Sequence, residues 1–380
     1  MRASRWNLWR LSKTAAGVAV AAGALAAAAA YAASPPTLQG TLRSIVSTVE
    51  HGDVNPYGMA FVGKSSGRLV QGDVLVSNFN NSKNLQGTGS TIVEVSPSGS
   101  RTLFAAISAH GLPRACPGGI GLTTALAVLD PGWVVVGSLP TTNGKSATAK
   151  AGCLLVLNGE GKVVETWSGH GLNGPWDMTA SQSGSRASLY VTNVLNGTIA
   201  AKGSRVRKGM VLRLDLSLRT GKPPLLQRIT IVGSGFPERT DPGALVIGPT
   251  GVGLGPSGAL YVADTLANRI DRIDHADTRS TTAGEGTFVT SGGALNNPLG
   301  LVVAPSGVVL TVNASDGKLV VTHAAGKQAG TALLDKSGKP KGAGALFGLA
   351  LAKDGRLFFV DDATNKFDSF ISSRLRALVR

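Results

Sequence analysis

The sequence predicts an all-β protein: a six-bladed β-propeller whose last blade is completed by a strand from the N-terminal end. First, one sequence motif recurs six times. It consists of an apolar strand, a hairpin turn and a second strand that ends in Asn or Asp. Second, most copies divide into four strands by their alternating apolar residues and turn signals. Third, the sixth copy has only three strands, whereas a spare strand-like segment (41–49) precedes the first. Pairing these two would close the ring and remove an exposed edge.

The copy at 248–274 is the clearest, with GPSG as the turn between its first two strands. Its strands are VGL, ALYVAD, RIDRID and a weaker run near 286–290. The third copy carries an insertion (197–209) and a long link (233–249) into the fourth. The predicted blades lie near 55–107, 121–169, 174–236, 248–290, 297–335, and 346–373 plus 41–49.

The first 33 residues are predicted to be a separate segment, and 34–380 a single propeller domain. Arg2, Arg5, Arg10 and Lys13 precede an Ala-rich run and an A-x-A sequence at 30–32, which is typical of a secretory signal peptide. An uncleaved N-terminal anchor is the alternative, because the run approaches membrane-spanning length. We therefore expect a secreted or periplasmic protein with no membrane segment after cleavage.

The charge balance limits the classes of partner. The whole chain carries +15 and the part after residue 33 carries +11, but the cations are scattered and aromatic residues make up only 5%. Nucleic-acid binding is therefore not expected. We expect a monomer that binds a small molecule, a glycan or a protein partner.

Two cysteines, Cys116 and Cys153, are present. In an exported chain an isolated pair favours one disulfide. Loops between the second and third strands share one propeller face with the links between blades, which places both cysteines on that face of one blade. Their spacing does not match a zinc site.

The motif P-x-G-V-x-L-x-P-S-G-x-L-Y-V-A-D-T-x-x-N-R-I at 249–270 resembles the NHL repeat. The whole mature chain is similar to the gluconolactonase-like (TolB-like) six-bladed propeller superfamily. This resemblance implies the fold, and its members include lactone hydrolases, lyases and binding scaffolds. Gluconolactonase-type enzymes hold a metal through a Glu in the opening segment, but the matching stretch here (51–56) has none. No cofactor is expected, with a divalent cation as the open alternative.

Alignment of the six first strands gives one channel-lining position per blade: Gly58, Thr124, Asp177, Gly251, Gly300 and Gly348. Asp177 places a carboxylate where four blades have glycine. Aromatic residues precede this position in three blades. The predicted ligand site comprises Tyr57, Thr124, Trp176, Asp177 and Phe347. In the alternative interpretation, Asp177 binds a neighbouring backbone amide and the aromatic residues fill the core.

Few residues are candidates for catalysis or metal binding. Asp177 as a base or metal ligand and His170 as a proton shuttle are the catalytic candidates, since His170 lies seven residues before Asp177. Asn193, Asp264 and Asp362 end second strands. They are weak candidates for a hard cation, and turn formation is the simpler interpretation.

These observations leave the activity open. The favoured hypothesis is an exported propeller that binds a small molecule, glycan or partner at the face bearing Trp176 and Asp177. The first alternative is a lactone hydrolase or lyase using Asp177 and His170, and the second is an envelope scaffold.

Overall fold

The computed structural model describes residues 34–380, so the predicted signal peptide or anchor lies outside the described residues. The described chain forms six antiparallel sheets, and the first strand of each sheet contacts the first strands of its neighbours around a central axis. The predicted six-bladed propeller is therefore confirmed. Strands within a blade are lettered A to D from the axis outwards.

The strands follow in chain order. Blade 1 contains β2 (Val54–Phe61), β3 (Val74–Asn80), β4 (Thr91–Val95) and β5 (Arg101–Ala106). Blade 2 contains β6 (Leu122–Leu129), β7 (Trp133–Ser138), β8 (Cys153–Leu157) and β9 (Val163–Trp167). Blade 3 contains β10 (Gly174–Ser183), β11 (Arg186–Val194), β12 (Val206–Arg219), β13 (Lys222–Asp241) and β14 (Leu245–Ile247). Blade 4 contains β15 (Pro249–Leu254), β16 (Leu260–Asp264), β17 (Arg269–Ile273) and β18 (Thr287–Ser291). Blade 5 contains β19 (Pro298–Val303), β20 (Val309–Asn313), β21 (Lys318–Thr322) and β22 (Gln328–Leu333). Blade 6 contains β23 (Leu346–Leu351), β24 (Leu357–Asp361), β25 (Lys366–Ile371) and β1 (Thr41–Ser47).

The ring closes as the sequence predicts. Strand β1 pairs antiparallel with β25, from Thr41 opposite Ile371 to Ser47 opposite Lys366. The chain just before β1 also joins blade 5, because the amide of Leu38 donates to the carbonyl oxygen of Thr331. The N-terminal end of the described chain thus links two blades, which the sequence did not predict.

Two faces of the propeller are distinguished below. The link face carries the connections between blades and the loops between strands B and C. The hairpin face carries the A–B and C–D turns. On the link face, the short fifth strand β14 pairs with the end of β13.

The only α-helix of the described residues is α1 (Ser373–Val379). Ser372 caps its N-terminus, because the Ser372 side chain accepts from the amide of Leu375. It packs Leu375 and Val379 into the core shared by blades 5 and 6. Within residues 34–380, no helix combines the length and the apolar character needed to span a membrane.

The predicted disulfide is present. Cys116 lies in the link before β6 and Cys153 begins β8, so both lie on the link face, and their Cα atoms are 5.4 Å apart. Both residues are buried among apolar side chains of blades 1 and 2. The bond therefore joins a link to the sheet that follows it.

Replacing both cysteines with serine is expected to lower the free energy of unfolding by about 3–4 kcal/mol, because the bond closes a loop of 37 residues in the unfolded chain. Urea unfolding of the wild type and the double variant would measure the change. Reductant should destabilise the wild type alone. A difference below about 1 kcal/mol would contradict the expected role of the bond.

Candidate functional site

The six aligned channel positions form a tight ring at the axis. A Cβ on Gly251, Gly300 or Gly348 would overlap the carbonyl oxygen of Leu299, Phe347 or Tyr57, respectively, each from the next blade. The pairing of strands A and B shifts register close to this position in every blade. Glycine therefore lets neighbouring strands approach closely.

The link-face end of the channel is closed by aromatic side chains. The ring of Tyr57 stacks on Phe347 with centroids 3.9 Å apart and on Phe79 at 4.4 Å, and Trp176 lies 6.3 Å from Tyr57. Tyr57, Trp176 and Phe347 are each at most 4% exposed. We call these three residues the aromatic plug.

Strand β14 covers the plug. Leu245 and Val246 are fully buried against it, and Trp176 Nε1 donates to the carbonyl oxygen of Val246 at 3.2 Å. The space remaining beside Tyr57 and Trp176 is about 10 Å³, room for at most a single water. The predicted binding surface at Tyr57 and Trp176 is therefore wrong, because these residues fill the core instead of lining an open mouth.

The channel opens on the hairpin face. A cavity of about 260 Å³ is lined by the A strands of all six blades, and it includes Thr124, Asp177 and Phe347. The ring forms its floor. Residues towards the outer ends of its walls are partly exposed: Phe61, Val128, Ala180, Leu254, Val303 and Leu351. Most of its lining side chains are apolar, but backbone groups together with Thr124, Asp177 and Thr179 make slightly more than half of the lining surface polar.

Asp177 is the single ionisable residue that lines this cavity. One of its carboxylate oxygens, Oδ2, accepts from the amide of Val252 at 3.0 Å. Burial raises the pKa of the Asp177 carboxyl to about 7, although hydrogen bonds from the Met178 and Val252 amides act in the opposite direction. The alternative interpretation, in which Asp177 binds a neighbouring amide, is confirmed, yet the same carboxyl also borders the cavity.

Thr192, which the sequence analysis did not single out, positions Asp177. Its hydroxyl oxygen Oγ1 accepts from the Asp177 amide at 3.0 Å and donates to the carbonyl oxygen of Thr250 at 2.6 Å. Thr124 similarly donates through Oγ1 to the carbonyl oxygen of Trp176. The only available signal was a threonine one residue before the strand-end Asn193, which is common in any strand.

His170 does not meet Asp177. It is exposed in a tight turn of the link between β9 and β10, with φ of 52°. It is absent from the cavity lining, and the aromatic plug separates the link face from the cavity. The predicted acid–base pair is therefore not formed.

Two of the three weak metal candidates make polar contacts within the chain. Asn193 Oδ1 accepts from the amides of Asn173 and Gly174, which joins the end of β11 to the start of β10. Asp264 accepts from the amide of Ala267 through Oδ1, and its Oδ2 lies 3.5 Å from an Arg269 guanidinium nitrogen.

The prediction that Asp362 ends the second strand of blade 6 is wrong by one residue. Asp361, opposite Leu346, ends β24 and is the structural equivalent of Asp264, which lies opposite Pro249. Burial, together with the nearby Asp361, raises the pKa of Asp362 to about 7. Among residues 34–380, no group of three or more His, Cys, Asp or Glu side chains is placed to hold a metal ion.

Comparisons with known proteins concern the fold. No protein-family model matches the chain, and no curated protein matches it. A gluconolactonase of Xanthomonas campestris is 13% identical, covering 89% of this chain and 94% of its own, with a TM-score of 0.53. The chain has the fold of the gluconolactonase-like six-bladed propellers.

Two further solved structures agree with this fold. A calcium-binding regucalcin of Agrobacterium tumefaciens is 14% identical, covers 90% of this chain and 96% of its own, and gives a TM-score of 0.53. A luciferin-regenerating enzyme is 10% identical, and the match covers 88% of this chain and 96% of its own. Its TM-score is 0.54. At these identities the similarity establishes the fold alone. Any activity must be argued from the residues of this channel.

Proposed function

We propose that this propeller is an enzyme that acts on a small substrate in the channel on its hairpin face, with Asp177 as the acid–base group. The observation that carries the proposal is a single carboxyl at the floor of the channel cavity, where burial raises its pKa to about 7. An acid–base group works best when its pKa lies near the working pH. Burial supplies that property here without a second charged group.

Lactone hydrolysis is the first reaction class to test, because a gluconolactonase shares the fold. The Asp177 carboxylate would take a proton from water as the water oxygen bonds to the lactone carbonyl carbon. The ring C–O bond then breaks, and the proton passes from Asp177 to the leaving oxygen. In lyase-type elimination, Asp177 would instead take the proton next to a carbonyl group.

Asp177→Asn is expected to lower the turnover of a lactone substrate by 10²–10⁴-fold, the usual contribution of a positioned acid–base group. The amide keeps an oxygen for the Val252 amide but cannot take up a proton. Wild-type turnover should rise with pH, with a midpoint near 7. The measurement is the pH profile of hydrolysis across a panel of lactones, with elimination substrates as a second panel.

Asp130→Asn is the matched control, because Asp130 is an exposed carboxylate at the end of strand A on the same face and does not line the cavity. Equal turnover in wild type and Asp177→Asn would contradict the assigned role.

Binding without turnover is the second candidate. It is favoured by the lack of a second ionisable side chain among the residues lining the cavity. A lactone that binds the wild type but is not converted would support it.

We further propose that the protein works in an oxidising compartment, secreted or periplasmic. The Cys116–Cys153 bond supports this, because such bonds are rare where thiols are kept reduced.

A further inference from the structure

A second cavity adjoins the channel mouth between blades 1 and 6. It has a volume of about 500 Å³ and is lined mainly by apolar side chains, together with Gln71, Lys353, Asp354 and Arg356. Phe61 and Leu351 line both this cavity and the channel. We call the second cavity the lateral cleft. The two cavities therefore meet at these two side chains.

The lateral cleft has two cations and one acid. The Arg356 guanidinium lies over the Phe358 ring, 5.7 Å from its centroid, and its Nη2 is 3.6 Å from Asp354 Oδ2. Its Nε is buried and has no acceptor among the described residues. Lys353 is exposed beside it. The Arg356 side chain as a whole is partly exposed and lines the cleft, so an anion there can approach its accessible guanidinium atoms.

These features point to the chemistry of the ligand. The apolar wall of the cleft favours a ligand with an apolar body. Arg356 and Lys353 favour a ligand with an anionic group, and a carboxylate matches the planar guanidinium. A cationic ligand would be repelled by the two basic side chains. A neutral ligand would lack the attraction that these two cations offer to an anion.

We propose that the substrate is a small amphipathic molecule with a carboxylate, which binds Arg356 and Lys353 in the lateral cleft while its apolar body extends past Phe61 and Leu351 into the channel. This rests on the proposed function in one respect, since the channel end of the molecule would carry the bond that reacts beside Asp177. Binding of the carboxylate itself requires no turnover.

The test uses sodium octanoate, octan-1-ol and octylammonium chloride as probes of one chain length and three head groups. Isothermal titration calorimetry on the full wild-type chain should give octanoate at least about tenfold tighter binding than octan-1-ol, and the weakest binding for octylammonium. Arg356→Gln should weaken octanoate binding by about 10-fold or more and leave octan-1-ol unchanged. Lys353→Gln should weaken octanoate by a smaller factor, because its ammonium is solvated.

Arg114→Gln is the matched control, because Arg114 is an exposed arginine in the link before β6, outside the cleft lining. Because Lys353 is exposed, Lys353→Gln should fold normally. It therefore still tests the proposal if Arg356→Gln fails to fold. The proposal is overturned if octanoate binds no tighter than octan-1-ol, or if both glutamine variants bind octanoate like the wild type. Asp177→Asn should retain octanoate binding, so a failure of catalysis and a failure of the cleft give different results.

Discussion

Replacing Gly300 with alanine is expected to lower the free energy of unfolding by about 3 kcal/mol, because the new Cβ would overlap the carbonyl oxygen of Phe347. The obstacle is backbone of the neighbouring blade, which no side-chain rotation can relieve. Gly300 is not in the left-handed region, so the effect comes from lost space at the axis and not from a forbidden backbone conformation. Separating β19 from β23 would also disturb the floor of the channel.

Gly243→Ala is the control for this prediction. Gly243 is exposed, and its new Cβ would meet only the Asp241 side chain, at 3.3 Å. Urea unfolding followed by tryptophan fluorescence would measure both variants. Similar stability for Gly300→Ala and Gly243→Ala would show that the ring is less tightly packed than described.

The sequence was sufficient for the architecture because each blade repeats local signals. Alternating apolar residues and Gly-containing hairpins define strands one by one, and a count of the strands requires the closing segment at 41–49, observed as Thr41–Ser47. The disulfide followed from the same geometry. Among the described residues, β14, α1 and the contact of Leu38 with blade 5 lie outside the repeat, and none of them carries a periodic signal.

The candidate site was harder to predict because it depends on contacts between distant segments. The aligned residues located Asp177 and Thr124 beside the axis, and both line the cavity. Which end of the channel is open depends on β14 packing over Trp176, 70 residues away in sequence. Asp361 and not Asp362 completes the ring of strand-B ends, because Leu346 pairs with Asp361 as Pro249 pairs with Asp264, and two adjacent aspartates carry no signal that separates them.

Buried carboxyl groups are expected to make the stability of this protein fall as the pH rises towards neutrality. Burial raises the pKa of Asp177, Glu238, Asp264 and Asp362 to about 7, whereas in the unfolded chain such groups titrate near 4. Between these values the folded state holds protons that the unfolded state has released. The free energy of unfolding therefore decreases with pH in this window, by at most about 1.4 kcal/mol per pH unit for each group.

Asp177→Asn separates one of these contributions from the others. The asparagine carries no charge at any pH in this range, so the variant should be more stable than the wild type at pH 8 and nearly equal to it at pH 4. The full shift would give about 4 kcal/mol, and because the open channel lets solvent reach the carboxylate we expect about 2 kcal/mol. Urea unfolding at pH 4, 6 and 8 measures the difference, with the exposed Asp130→Asn as control. A difference between wild type and Asp177→Asn that does not change with pH would mean that the Asp177 carboxyl is not desolvated, and Asp177 would then lack the property on which its proposed acid–base role depends.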